Sequence, residues 1–203
     1  GRDVRQWNLG ELRRQVGAVP QETFLWNESV RRNVALKQNR PAEEIDRVLR
    51  LVGLYPNVLA GAGSVQAGDN LEEPVGERGT RLSAGQRQLV SFARALLVDP
   101  PILVLDEATS YVDTETEQRI QAALLTLLGG RTSLVIAHRL STIRHVDRVL
   151  VLHRGRLVEE GTHDDLLRLG GIYARYYELE YLRQGVDPDA GEKPEPVQSA
   201  GAE

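Results

Sequence analysis

The chain of 203 residues contains no cysteine, no methionine and only four histidines. Without thiols it has neither a disulfide framework nor a thiolate metal site, which fits a reducing compartment. Without methionine it has no start residue, so it is expected to be a piece of a longer product. No window approaches 18 consecutive apolar residues, and no charged-then-apolar leader opens the chain. Nothing here is expected to cross a bilayer, so any membrane passage belongs to another segment. Neither sign of charge dominates, with 25 Lys and Arg against 29 Asp and Glu. That balance excludes a general affinity for nucleic acid, and no nucleic-acid partner is expected; any phosphate binding must be local. There is no internal repeat.

What is present is an ordinary globular composition, 41% hydrophobic and 27% charged, sufficient for one sizeable core. Val16, Ala18 and Val19 form a short apolar run closed by Pro20, expected to be a buried strand. Pro41 opens a segment in which Ile45, Val48, Leu49 and Val52 fall at helical spacing, with Gly53 placed to stop it. Ser83 and Gln86 stand at capping-box spacing, which predicts a helix running to Asp99-Pro100-Pro101. Ile102 to Leu105 reads as a strand, Asp113 as the cap of a helix carrying Ile120, Leu124 and Leu127, and Ser133 to Ala137 as a further buried strand. Val149 to Leu152 and Leu157 to Val158 flank a turn at Arg154-Gly155. Thr162 and Asp165 open a short helix, and Tyr173, Tyr176, Tyr177 and Tyr181 mark a last one.

Strands alternating with helices predict an α/β fold with a mainly parallel sheet covered on both faces. Residues 28–99 carry helices without strand signals and read as a helical insertion, 100–168 as the core of the fold, and 170–184 as a C-terminal helix. Residues 185–203, rich in Pro and acids, read as a disordered acidic tail.

The chemistry concentrates at strand and helix ends. Asp106 and Glu107 follow an apolar strand, at the carboxyl edge where open α/β sheets place ligands. Two acids there suit Mg²⁺ and water activation, though a cap pair for the next helix reads the same way. His138 follows another strand, as a phosphate sensor or as a structural imidazole, and Gln21 follows the first. The Ser83 helix offers free amides to an anion, or is a plain cap; Gly85 in its first turn favours close backbone approach. Arg87 and Arg94 read as solvated helix charges or as ligands, with the solvated reading favoured.

Taken in order, Gln21, LSAGQ at Leu82 to Gln86, ILVLDE at Ile102 to Glu107, SYVD at Ser110 to Asp113 and His138 resemble an ATP-binding-cassette ATPase domain, a P-loop NTPase. The resemblance runs to about Leu182, and the connecting segments are similar to the exporter branch. It implies ATP and Mg²⁺ as cofactors, with Gln21 and Asp106 toward the metal and water, Glu107 as general base and His138 as the switch histidine. It implies further that Ser83, Gly85 and Gln86 of the signature meet the γ-phosphate held by a second nucleotide-binding domain, in a homo- or heterodimer, with Asp113 at the seam. Glu77-Arg78-Gly79 would meet the coupling helices of a transmembrane domain at the cytoplasmic face of a membrane. Ala84, Tyr111 and Glu73-Pro74 depart from the family pattern.

No stretch reads GxxxxGK followed by Ser or Thr, and no adenine-stacking aromatic is found, so the expectation is a partial ATPase domain, inactive alone. The resemblance also implies a gap in the sheet, or a collapsed neighbour, between the strand leading to His138 and that at Val149 to Leu152. Two other classes stay open: a non-hydrolytic, partner-binding or regulatory piece, and a soluble ATPase of DNA repair. The absence of a long heptad segment speaks against the second.

Overall fold

The structure, a computed structural model, describes residues 2–36, 38–55, 70–106, 114–137, 140–144 and 146–183. The chain divides into two compact units, residues 1–138 and 139–203.

In the first unit α1 (Leu9–Gln15) starts where the Asn8 side chain accepts from the Gly10 and Glu11 amides, and it runs straight into β1 (Val16–Val19). Three helices follow in the expected helical stretch. α2 (Val30–Ala35) is capped by Ser29, whose Oγ accepts from the Arg32 amide, and stops at Leu36 in the left-handed region. α3 (Ala42–Leu51) begins after Pro41 and buries Ile45, Val48 and Leu49. α4 (Ala84–Val98) carries the predicted capping box and ends at Asp99, where φ is +50°. β2 (Ile102–Asp106), α5 (Thr114–Leu128) and β3 (Thr132–Ile136) complete the unit.

β1, β2 and β3 form a parallel sheet in that order. Val19 lies opposite Leu105, and Asp106 opposite Ile136. Gly17 is required because the Pro100 ring sits where a side chain would go: a Cβ there would lie 2.5 Å from Pro100 Cγ. The connection that turns α4 into β2 is thereby pressed onto β1.

Side chains alternate across the sheet. One row, with Val19, Leu103 and Leu105, joins a core containing Phe92 of α4 and Ile120, Leu124 and Leu127 of α5. The opposite row, with Val16, Ile102, Leu134 and Ile136, is exposed; Leu134 keeps 57% of its surface and Ile136 53%. The sequence predicts β1 and β3 as buried strands, and this is corrected: only Val19 of β1 and no residue of β3 is buried. The apolar character of both rows is real, but only one row meets helices among the described residues.

In the second unit α6 (Leu140–Ile143) precedes an antiparallel hairpin of β4 (Val149–His153) and β5 (Arg156–Gly161). Its turn places Arg154 at φ +49° and Gly155 at φ +75°, the pair of left-handed residues that a right-twisted two-residue hairpin needs. β3 is the end strand of its sheet and β4 pairs with β5, so the two belong to separate sheets.

α7 (His163–Leu169) opens with a Thr162–Asp165 capping box, and α8 (Ile172–Arg183) starts where Glu159 accepts from the Ile172 and Tyr173 amides. His163 Nδ1 and the Tyr173 hydroxyl lie 2.6 Å apart and bind the two helices together. Burial pushes the Tyr173 hydroxyl up to about 12, and Tyr177 adds to the shift.

Burial also holds the His163 imidazole below its ordinary value; Asp164 opposes this and Arg144 adds to it. The unfolded chain, titrating near 6.5, therefore binds more protons than the folded unit as pH falls through that value. Stability of this unit is expected to be fully present above that pH and to decline as pH falls to the lower folded value. Asp165, held below the usual carboxylate range by Thr162, acts only at more acid pH. Urea denaturation followed by tyrosine fluorescence checks this, and His163→Gln should flatten the near-neutral part of the profile.

Candidate functional site

Parallel pairing in register brings the ends of three strands to one edge. Because Val19 is opposite Leu105 and Asp106 opposite Ile136, the segments leaving β1, β2 and β3 start at the same level. Asp106 is half-buried at the last position of β2, and Gln21 is exposed two residues beyond β1. Among the described residues no hydrogen bond or ion pair engages either side chain. Glu107, His138 and Asp113 lie outside the described residues.

The half-buried Asp106 carboxylate at one strand end and the Gln21 amide oxygen two residues past the neighbouring strand are hard oxygen donors of the kind Mg²⁺ accepts. Among the described residues no group of three or more His, Cys, Asp or Glu could hold a metal ion. Mg²⁺ does not require such a cage, because it keeps waters and takes the rest of its ligands from substrate phosphates. The donor set therefore fits the ion. The triphosphate needs an amide nest and a lysine, and the chain contains no phosphate-loop motif to provide them.

The second cluster is the start of α4. Ser83 Oγ accepts from the Gln86 amide at 3.1 Å, and Gln86 Oε1 accepts from the Ser83 amide at 2.7 Å. Gly85 is buried inside the first turn, while Ser83 is exposed. With the box closed and the Arg87 amide bonded to the Ser83 carbonyl, the Ala84 and Gly85 amides are the first-turn donors left over.

Arg87 and Arg94 do not fit the solvated reading. Arg87 donates to the Leu82 carbonyl at 2.7 Å and stiffens the approach to the cap. Arg94 is half-buried and donates to the Phe24 and Asn33 carbonyls, each at 2.8 Å, and to Asn33 Oδ1 at 3.1 Å. Burial pushes its pKa down to about 10. The signal was present in the helical spacing: Arg94 falls three or four residues from Val90, Ser91 and Leu97, all buried.

Beside this cation, exposed Phe24 and Trp26 meet edge to face with ring centroids 5.2 Å apart. Trp26 borders a cavity of about 550 Å³ lined also by Glu28, Arg32, Asn33, Leu36 and Gln38, among others. Leu25 between them is buried against Gly79, which has φ +73° and space so tight that a Cβ would lie 2.6 Å from Leu25 Cδ1. The Glu77-Arg78-Gly79 turn is thus seated against the aromatic segment, with Glu77 and Arg78 exposed.

The family model described as ABC transporter matches residues 1–110. The chain belongs to the ABC transporter family. Among curated members of this family, it is 45% identical over 192 residues to an ATP-dependent lipid A-core flippase of Syntrophus aciditrophicus (strain SB), covering 94% of this chain and 31% of that protein. It is 47% identical over 182 residues to the uncharacterized ABC transporter ATP-binding protein YknV of Bacillus subtilis (strain 168), covering 89% of this chain and 29% of that protein. Among solved structures it matches a bacterial Atm1-family ABC exporter with ATP bound, with a TM-score of 0.75 and 38% identity over 93% of this chain and 31% of that one. The chain therefore spans under a third of the length of these ABC transporter relatives, and it has the α/β fold of an ABC ATPase domain. No helix among the described residues is long and apolar enough to cross a membrane.

Replacing Ser83 by Ala leaves the Gln86 amide without its acceptor. The expected loss is about 1 kcal/mol of stability, read by urea denaturation of the chain, with Ser83→Asn losing much less.

Proposed function

We propose that this chain serves, within a complete transporter, as part of a nucleotide-binding domain that binds and hydrolyses Mg-ATP to drive export across a membrane. The observation that carries the reading is the shared level of three parallel strand ends, with the half-buried Asp106 carboxylate at the end of the middle one. Mg-ATP, when bound, supplies the phosphoryl group that is transferred to water. Asp106 and Gln21 would hold Mg²⁺ and its waters at that edge. Glu107, next in the chain, would take the proton of the attacking water, and His138 would contact the γ-phosphate. The phosphate cradle would come from residues other than these 203.

The leftover amides of α4, with Ser83 and Gln86, would face nucleotide bound by a second nucleotide-binding domain, Asp113 lying at that seam. The Phe24–Trp26 segment and the exposed Glu77–Arg78 turn seated against Leu25 through Gly79 would receive coupling helices of the transmembrane domain, at the cytoplasmic face. Residues 28–99 would act as a helical subdomain between the two contacts. The names of the relatives support an exporter, and they leave its cargo open. A second reading, a non-hydrolytic regulatory piece, is favoured by one observation, the lack of a phosphate-loop motif.

The test is ATP turnover by the complete transporter in lipid vesicles. Glu107→Gln is expected to lower phosphate release at least about hundredfold while ATP is still bound, and EDTA to abolish it in the wild type. The isolated chain is expected to show no Glu107-dependent turnover. Undiminished release by the Glu107→Gln transporter would favour the regulatory reading.

A further inference from the structure

Arg94 is a desolvated cation with no carboxylate among its bonded partners in the described residues. Its Nε and one terminal nitrogen go to Asn33, its other terminal nitrogen goes to the Phe24 carbonyl, and its guanidinium carbon lies 5.4 Å from the Trp26 ring centroid. Asn33, only 1% exposed, is itself saturated. Its Oδ1 accepts from the Trp26 amide at 2.9 Å, and its Nδ2 donates to the Trp26, Glu28 and Ser29 carbonyls at 3.0 to 3.2 Å. Arg94 and Asn33 together therefore bond both backbone groups of Trp26 and the carbonyl of Phe24.

Packing α2 on α4 does not require this. A buried apolar side chain would do it without the cost of removing a guanidinium from water. What a planar five-donor fork adds is geometry: it holds its acceptors at fixed distance and angle, which neither an aliphatic chain nor an ammonium does. The group so held is the pair of exposed rings that follow Gln21. The element that holds it is the helix that begins at Ser83, eleven positions upstream, about 16 Å along the axis at 1.5 Å per residue.

We propose that Arg94 is a positioning residue that ties the Phe24–Trp26 segment to α4 and so fixes the position of Ser83 relative to that segment. The load path runs from the rings through the Phe24 carbonyl and Asn33 into the guanidinium, and then along α4 to its N-terminus. The proposal rests on the ATPase reading above, since Ser83 matters to turnover only if it meets nucleotide.

The test measures ATP turnover and melting temperature of the complete transporter in vesicles for the wild type, Arg94→Met, Arg94→Lys, Trp26→Leu and the Arg94→Met/Trp26→Leu double variant. Each single variant is expected to lower kcat about tenfold with KM for ATP within about twofold of wild type, as misplacement of a group acting only in the closed state does. Lysine, which keeps the charge and loses the fork, is expected to restore no more than methionine does. The double variant is expected to be no slower than the slower single one, since both break one path.

Full recovery by Arg94→Lys, a change in KM alone, or multiplicative losses of about hundredfold in the double variant would overturn the proposal. Should neither Arg94 variant be recovered folded, Trp26→Leu decides: unchanged kcat overturns the tie, and a tenfold loss at constant KM upholds it. Turnover that is normal in the wild type and indifferent to Arg94 counts against the tie alone. A wild type without turnover overturns both the tie and the ATPase reading.

Discussion

The rest of the first unit depends on the in-register parallel pairing of β1, β2 and β3. Parallel strands must all be entered from the same end, so each connection has to run back across the sheet, here as the helical stretch from α2 to α4 and as α5. The same constraint makes the exits coincide. With Val19 opposite Leu105 and Asp106 opposite Ile136, residues far apart in sequence leave the sheet at one edge without any contact between their side chains being needed. The register is held by Leu103 and Leu105 sinking into the core, because a slip by one residue would bring Val104 and Asp106 to that face instead. The position of the one described acid at the site is thus a by-product of apolar burial.

A different physics governs the link between the helical stretch and the sheet. Apolar packing joins α2, α3 and α4 into the core, but Asn33 and Arg94 add a polar node inside it in which the donors and acceptors of two side chains meet backbone groups of Phe24, Trp26, Glu28, Ser29 and Asn33 itself. Such a node stabilises little in net terms, because desolvation opposes the hydrogen bonds. It selects one arrangement among several that apolar contact alone would allow. Gly79 complements it from the other side, where only the absence of a Cβ lets the Glu77–Gly79 turn close on Leu25.

Much of this was legible in the residues themselves. The Ser83–Gln86 box, the stop at Gly53, the hairpin turn at Arg154-Gly155 and the Thr162 cap rest on interactions within a few positions of chain, and they form where the sequence says. The apolar strands were legible as strands. Their exposure was not, because Val16, Ile102, Leu134 and Ile136 look no different in sequence from the buried row beside them. The short helices α1, α2 and α6 also escaped, being at most about two turns long and so too brief for a burial pattern to repeat.

Sequence alone determined which groups are on offer for chemistry, since the carboxylate, amide, hydroxyl and glycine side chains and their spacing along the chain are covalent facts. It also determined the local caps and turns, whose partners are at most four residues away. Only tertiary structure decided which of those groups share an edge, which sheet face meets helices, and that Arg94 is a buried fork rather than a solvated charge. The reason is separation: the Arg94 bonds to Asn33 and Phe24 join residues 61 and 70 positions apart. No local pattern records a partner at that range, and it exists only once the core has brought α2 and the segment after β1 against α4.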